Sequence, residues 1–165
     1  MDGLMAIPAI LLAIALITLM KASLLIVIVA IAIPEIPRVV RVVRSVVLTV
    51  RGLPYIEAAV AAGTRNLVII GRHILPNTVA PLVVQATYVC ASAILTEAGL
   101  SFLGAGTPPE VPSWGNVISS GRTYFQLSPW IIFFPGLMLA IAVLAINLVG
   151  DGLRDSLDPR IARRM

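Results

Sequence analysis

Few side chains in this sequence can do chemistry, and their spacing narrows what that chemistry is. Histidine occurs once, at His73, so no histidine cluster can hold a zinc ion. Lysine also occurs once, at Lys21, and no G-x-x-x-x-G-K-[ST] run is present, so the chain carries no nucleotide cradle of that kind. The glycine-rich run GLSFLGAG follows no strand pattern and is not read as a phosphate loop. Cys90 is the single cysteine, set in an apolar run, where it reads as a small packing residue with no disulfide partner in the chain. The serines have no second base in pattern near them. Catalytic residues and cofactors are therefore not expected, and what remains is the chemistry of binding. Glu57 opens a run, Glu57-Ala58-Ala59, with Gly63 next and His73-Ile74-Leu75-Pro76 at its end. A carboxylate there offers an anchor for an arginine of another protein. The small side chains of Ala58, Ala59, Ala61 and Ala62 let a second backbone come close, and Gly63 permits a tight turn behind them. The plainer reading of the alanines is a stable interfacial helix. Glu97 is the other notable acid: it stands near the end of an apolar run, beside Gly99 and Gly104, where it either shapes an outer gate or lies on a path for cargo. Asn147, inside the last apolar run, and Asp151 are expected to bond between helices.

The elements that position these residues are helices in lipid. Hydrophobic residues make up 59% of the chain and charged ones only 12%, where a soluble domain runs near ~25% charged. The mean hydropathy is +1.01. The expected fold class is all-α integral membrane, one small helical unit with four transmembrane helices at about 4–20, 23–43, 77–97 and 129–150. The first apolar tract, Gly3 to Met20, is uncharged and reaches roughly 27 Å as a helix, with Pro8 near its start, where a helix tolerates proline best. A short turn at Lys21 follows. The second tract is short unless its helix continues past Pro34 and Pro37 with a kink. Beyond them Arg38, Arg41 and Arg44 form one charged stripe among valines, suited to lipid headgroups or to a docked partner. Residues 51–76 make a water-side loop with structure of its own: a helix over Ile56–Ala62, a break at Gly63, and a second short helix through Ile74 capped by Thr64 or Asn66, with Pro76 at the boundary with the third span. The glycine- and proline-rich stretch at 98–128 is a loop on the other side, with a short helix from about Ser113 to Tyr124, and Trp114, Tyr124 and Trp130 suit a lipid–water boundary.

Orientation follows from counting basic residues. The segment Arg38 to Arg72 and the C-terminal tail carry six and four, while the other side carries Lys21 and Arg122. The loop holding Glu57 and the C-terminus are therefore expected on the cytoplasmic side, with 98–128 outside.

These residues carry a resemblance. The run from Glu57-Ala58-Ala59 through Gly63 to His73-Ile74-Leu75-Pro76 resembles the EAA loop in permease subunits of bacterial ABC importers. The general pattern often has Ile at the position of His73, whereas the peptide-importer branch commonly carries RHILPN, as Arg72 to Asn77 does here. ILTEAGLSFLGAG (Ile94 to Gly106), PSWG (Pro112 to Gly115), FPG (Phe134 to Gly136) and NLVGDGLRDSLDPR (Asn147 to Arg160) are similar to the C subunit of dipeptide, oligopeptide and nickel permeases. The resemblance implies the last four spans of a six-span permease, without the N-terminal two. It implies a bacterial inner-membrane location and no enzymatic activity in this chain. It implies as partners the lipid bilayer, a homologous second permease, two ATP-binding subunits that hydrolyse ATP, and an extracytoplasmic substrate-binding protein, with no nucleic acid. It assigns ATPase coupling to Glu57, Ala58, Ala59, Gly63, His73, Leu75 and Pro76, with Glu97, Gly99 and Asn147 as candidates for a gate or path. A motor-free helical bundle, either a secondary carrier or an assembly subunit, is the alternative.

Overall fold

A computed structural model describes residues 5, 7–20 and 23–157. Every regular element among the described residues is helical: α1 (Ala9–Met20), α2 (Leu24–Arg51), α3 (Pro54–Ala61), α4 (Asn66–Phe102), α5 (Trp114–Gly121) with a 3₁₀ turn at Arg122–Tyr124, and α6 (Trp130–Leu157). The expected turn at Lys21 and the tail arginines Arg160, Arg163 and Arg164 lie outside the described residues, as do Gly3 and Leu4 of the first tract. The chain divides into two compact units, each described by itself below. One holds Met1–Pro37 and Val89–Asn147, the other Arg38–Tyr88 and Leu148–Met165.

The first unit is built where α1, α2 and α4 bring their smallest and most branched residues together. Ala13 and Ile17 of α1, Val27 and Ala30 of α2, and Leu100 of α4 form its core. α1 starts just after Pro8, whose carbonyl accepts the Leu12 N–H at 3.1 Å. At the other end of this unit α4 stops in a Schellman turn. The Ala105 N–H bonds back to Leu100 O at 2.8 Å and Gly104 N–H to Ser101 O at 3.0 Å, with Gly104 at φ 81°. α5 has a true side-chain cap: Ser113 Oγ accepts from the Asn116 N–H at 3.1 Å.

The second unit has its own apolar centre. Val50 at the end of α2, Ile56 of α3 and Ile69 of α4 meet there, with Val46, Ala59 and Ile74 around them. Three expectations are corrected. The second short helix does not stop at Pro76: Asn66–Phe102 is continuous, and a π turn at Ile70–Ile74 carries it past the proline. Pro76 has no N–H for the carbonyl four residues back, and its ring would press on that carbonyl. The wider turn, with Leu75 N–H bonded to Ile70 O, relieves both. The cap of that helix is Arg65, with no side-chain bond, rather than Thr64 or Asn66. The last helix runs on to Leu157, so Asp151, Arg154 and Asp155 are helical and not a loose tail.

α2 passes through both Pro34 and Pro37 without a break, as the short second tract required. On its later half Arg38, Arg41 and Arg44 are exposed while Val39, Val42, Val43, Val46 and Val47 are half-buried. α4 and α6 each contain a stretch long and apolar enough to cross a membrane, and only 11% of each such stretch is buried. A core helix of a water-soluble protein would be mostly covered; these present their apolar sides outward.

Candidate functional site

The loop singled out by sequence folds as a rigid bracket. Pro54 occupies the first turn of α3, where its missing N–H costs nothing. Ile56 is only 2% exposed and pins the helix to Val50 and Ile69. One turn further on, Ala59 packs against the same cluster. The remaining face of α3 points away from it: Glu57, Ala58, Val60, Ala61 and Ala62 are exposed. Gly63 then closes α3. The Gly63 N–H reaches Val60 O at 3.0 Å and the Thr64 N–H reaches Ala59 O at 3.1 Å, a second Schellman turn, with Gly63 at φ 74°. Beyond it Leu67 stands 82% exposed, with Val68 and Ile70 also exposed. A carboxylate and a row of methyl groups are thus uncovered on α3, which is held from behind by a small apolar core, and uncovered aliphatic side chains follow at the start of α4.

His73 does not belong to that exposed face. It is half-buried in the π turn, its ring 5.9 Å from that of Tyr55. Asn77 Nδ2 donates to His73 O at 2.6 Å and reaches Tyr55 Oη at 3.5 Å. The three tie the start of α3 to α4. Leu75 and Pro76 are exposed on the next turn.

A second site lies in the first unit. Glu97 is half-buried within α4, a turn before its end rather than at its end. Its Oε1 accepts from Ser101 Oγ at 2.7 Å and from Thr107 Oγ1 at 3.1 Å. Thr107 is itself buried and also reaches Ser113 Oγ at 3.3 Å. Asn116 Nδ2 donates to Thr107 O and Pro108 O, at 3.2 and 3.1 Å, and to Val111 O at 3.0 Å. One carboxylate and one amide therefore staple the loop after α4 to the start of α5. Gly106 lies against Ser101 so closely that any Cβ would collide with its side chain and backbone.

The family model for the inner membrane component of binding-protein-dependent transport systems matches residues 1–163. The chain belongs to that family. It is 60% identical, over 99% of its own length and 56% of the relative's, to a probable peptide ABC transporter permease protein of Sinorhizobium fredii. Over 97% of its length and 53% of the relative's it is 46% identical to a dipeptide transport system permease protein of Alkalihalophilus pseudofirmus. It is 43% identical, with 97% and 53% coverage, to a glutathione transport system permease protein of Pectobacterium atrosepticum. The chain spans about half the length of the curated relatives it matches.

In this inner-membrane component the residues marked by sequence fall into separate groups. Glu57, Ala58, Ala59 and Gly63 come together on or behind one helix, while Glu97 belongs to the loop staple. Gly99 does not close around anything: a Cβ there would meet no atom within 4 Å. Asn147 and Asp151 are exposed, and neither bonds to another helix among the described residues, contrary to expectation. Cys90 is likewise exposed rather than packed inside. Asn116, Thr107 and Tyr55 were not singled out from sequence. For Asn116 the signal was present, an amide three residues after a serine cap, but its four acceptors lie on a loop whose path no pattern reveals.

Proposed function

We infer that this chain serves as a transmembrane permease subunit of an ATP-driven importer for peptides or a related small solute. It forms part of the translocation path and couples to a separate ATPase through the loop Glu57–Pro76. The observation that carries this reading is the exposed Glu57–Ala62 face of α3, backed by the core at Ile56. Side chains this small let the helix seat deeply in a groove, Glu57 offers an arginine of the ATPase a charged partner, and the buried back face passes a push on to α2 and α4. Peptide cargo is supported by the similarity to a probable peptide permease and to a dipeptide permease. The same membership supports a homologous second permease, two ATP-binding subunits and an external substrate-binding protein as partners. The excess of arginine along 38–72 supports a cytoplasmic position for the loop and for the C-terminus. ATP binding draws the motors together, carries α3 with them and rocks the spans so that the cavity opens outward; hydrolysis resets it. The chain itself is non-catalytic.

Site-directed cross-linking tests this. In a Cys90→Ser background, Ala58→Cys is expected to cross-link to the ATP-binding subunit in membranes, with a yield that changes on adding ATP. Glu57→Ala is expected to leave membrane insertion intact and to separate ATP hydrolysis from uptake. No captured ATPase from position 58 or 62, together with normal uptake by Glu57→Ala, refutes the coupling role.

A further inference from the structure

The first unit contains a cavity of about 730 Å³, within the size range of small-molecule sites. α2, α4, α5 and α6 all contribute to its wall, which is apolar over most of its area, with Ile31, Ala93, Trp114 and Leu139 among the lining residues. Glu97, Thr107 and Ser113 supply the polar edge. Among the described residues, Glu97 is the only ionisable side chain on the wall. Ser101 Oγ donates to Glu97 Oε1, and Thr107 Oγ1 lies within donating reach of the same oxygen and of Ser113 Oγ. Oε2 accepts no hydrogen bond from the described residues. The edge therefore offers a negative charge and an open acceptor beside a wide apolar wall.

We propose that this cavity binds a molecule with a primary ammonium group on an apolar body, the ammonium donating to Glu97 Oε2 and the body lying against Trp114 and Ala93. An anion would face the Glu97 charge with no compensating cation among the described lining residues. A neutral apolar molecule would fill the wall and leave the carboxylate oxygen unmatched. An ammonium supplies both the charge and up to three donors, and a charge-assisted bond is the strong kind. The staple gives the carboxylate a fixed position, since Ser101 and Thr107 hold one oxygen while leaving the other free. This deepens the proposed role of the chain in the translocation path, and rests on that reading only in treating the ligand as cargo.

The test uses the full chain in lipid nanodiscs with Trp130→Phe, so that Trp114 is the only indole. Cyclohexylmethylammonium and the matching alcohol, cyclohexylmethanol, are titrated while Trp114 emission is followed. A saturable response to the ammonium, with the alcohol weaker by roughly tenfold or more, is expected. Glu97→Gln keeps an oxygen for Ser101 and Thr107 and is expected to weaken the ammonium by roughly tenfold to a hundredfold while leaving the alcohol unchanged. Ala93→Phe fills the wall without touching the carboxylate and is expected to abolish the response, which decides the matter should Glu97→Gln lose its fold. Equal binding of ammonium and alcohol, or an unaltered response in either variant, overturns the proposal. No ATPase takes part in the titration, so failure of the coupling role and failure of this site are read out separately.

Discussion

Gly63 and Asn116 show how much rests on single residues. At φ 74° Gly63 sits in the left-handed region, and both bonds that finish α3 pass through it or its neighbour Thr64. Gly63→Ala places a Cβ in that conformation, at a cost of about 1–2 kcal/mol. Nothing lies within 4 Å to add a clash, so the effect is one of backbone alone. Faster amide exchange at Ala62–Thr64, with unchanged exchange along α6, is the expected result. Asn116 is different, because its amide hydrogens reach four acceptors on the loop after α4. Asn116→Ala and Asn116→Asp both remove the donors and are expected to destabilise that loop by about 1–3 kcal/mol. Limited proteolysis within residues 103–112 measures it, and both variants should be cut faster than the parent. Gly99→Ala serves as the contrasting control: with no atom in the way, its effect is expected within ~0.5 kcal/mol. The sequence marked Gly99 for its neighbourhood, yet close packing is a property of the opposing surface, and that surface meets Gly106 instead.

At the scale of elements, the π turn Ile70–Ile74 decides how α3 is joined to α4. A proline in a helical pattern reads as a boundary, and by local rules that reading was sound. The helix continues because Ile69 and Ile74 on either side of the turn are both held by the same apolar core as Ile56. Burial of these residues outweighs the strain of one widened turn. Pro76→Ala restores the missing N–H and removes the ring, so the turn is expected to tighten to α. That rotates everything N-terminal to it by about 100°, the angle of one residue. Cysteine-scanning accessibility over Asn66–Ile69 should then shift its exposed positions by one register, and uptake should fall while insertion persists. An unshifted pattern would mean that the core, not the proline, sets the turn. Ile56→Ala acts on the same core from α3 and is expected to cost about 2–5 kcal/mol locally, seen as loss of exchange protection in α3 alone.

For the whole molecule the argument rests on apolar surface. α4 and α6 are long, apolar and largely uncovered by the chain itself, which in water would be ruinous and in a bilayer is ordinary. Charge is then expected to orient the chain. In a Cys90→Ser background, Arg65→Cys on the proposed coupling loop and Glu110→Cys on the long loop should label oppositely with a membrane-impermeant maleimide. Position 110 is expected to react in intact cells and position 65 only after permeabilisation. The reverse pattern would turn the arginine count, and the coupling role with it, upside down.

Hydropathy and motif spacing alone determined that this is a helical membrane chain and that its Glu57–Pro76 loop is the feature to follow, because lipid compatibility and short-range pattern are written along the chain. The spacing of the arginines also foretold their exposed stripe on α2, and a short helix after Pro112 was expected. Tertiary structure decided the rest: that Ile56 locks the loop from behind, that α4 runs through Pro76, that His73 faces Tyr55, and that Asn116 and Glu97 close one loop between them. Each of these depends on residues separated along the chain or on a loop's path, and the energy that selects it comes from packing and hydrogen bonds made only once those segments meet.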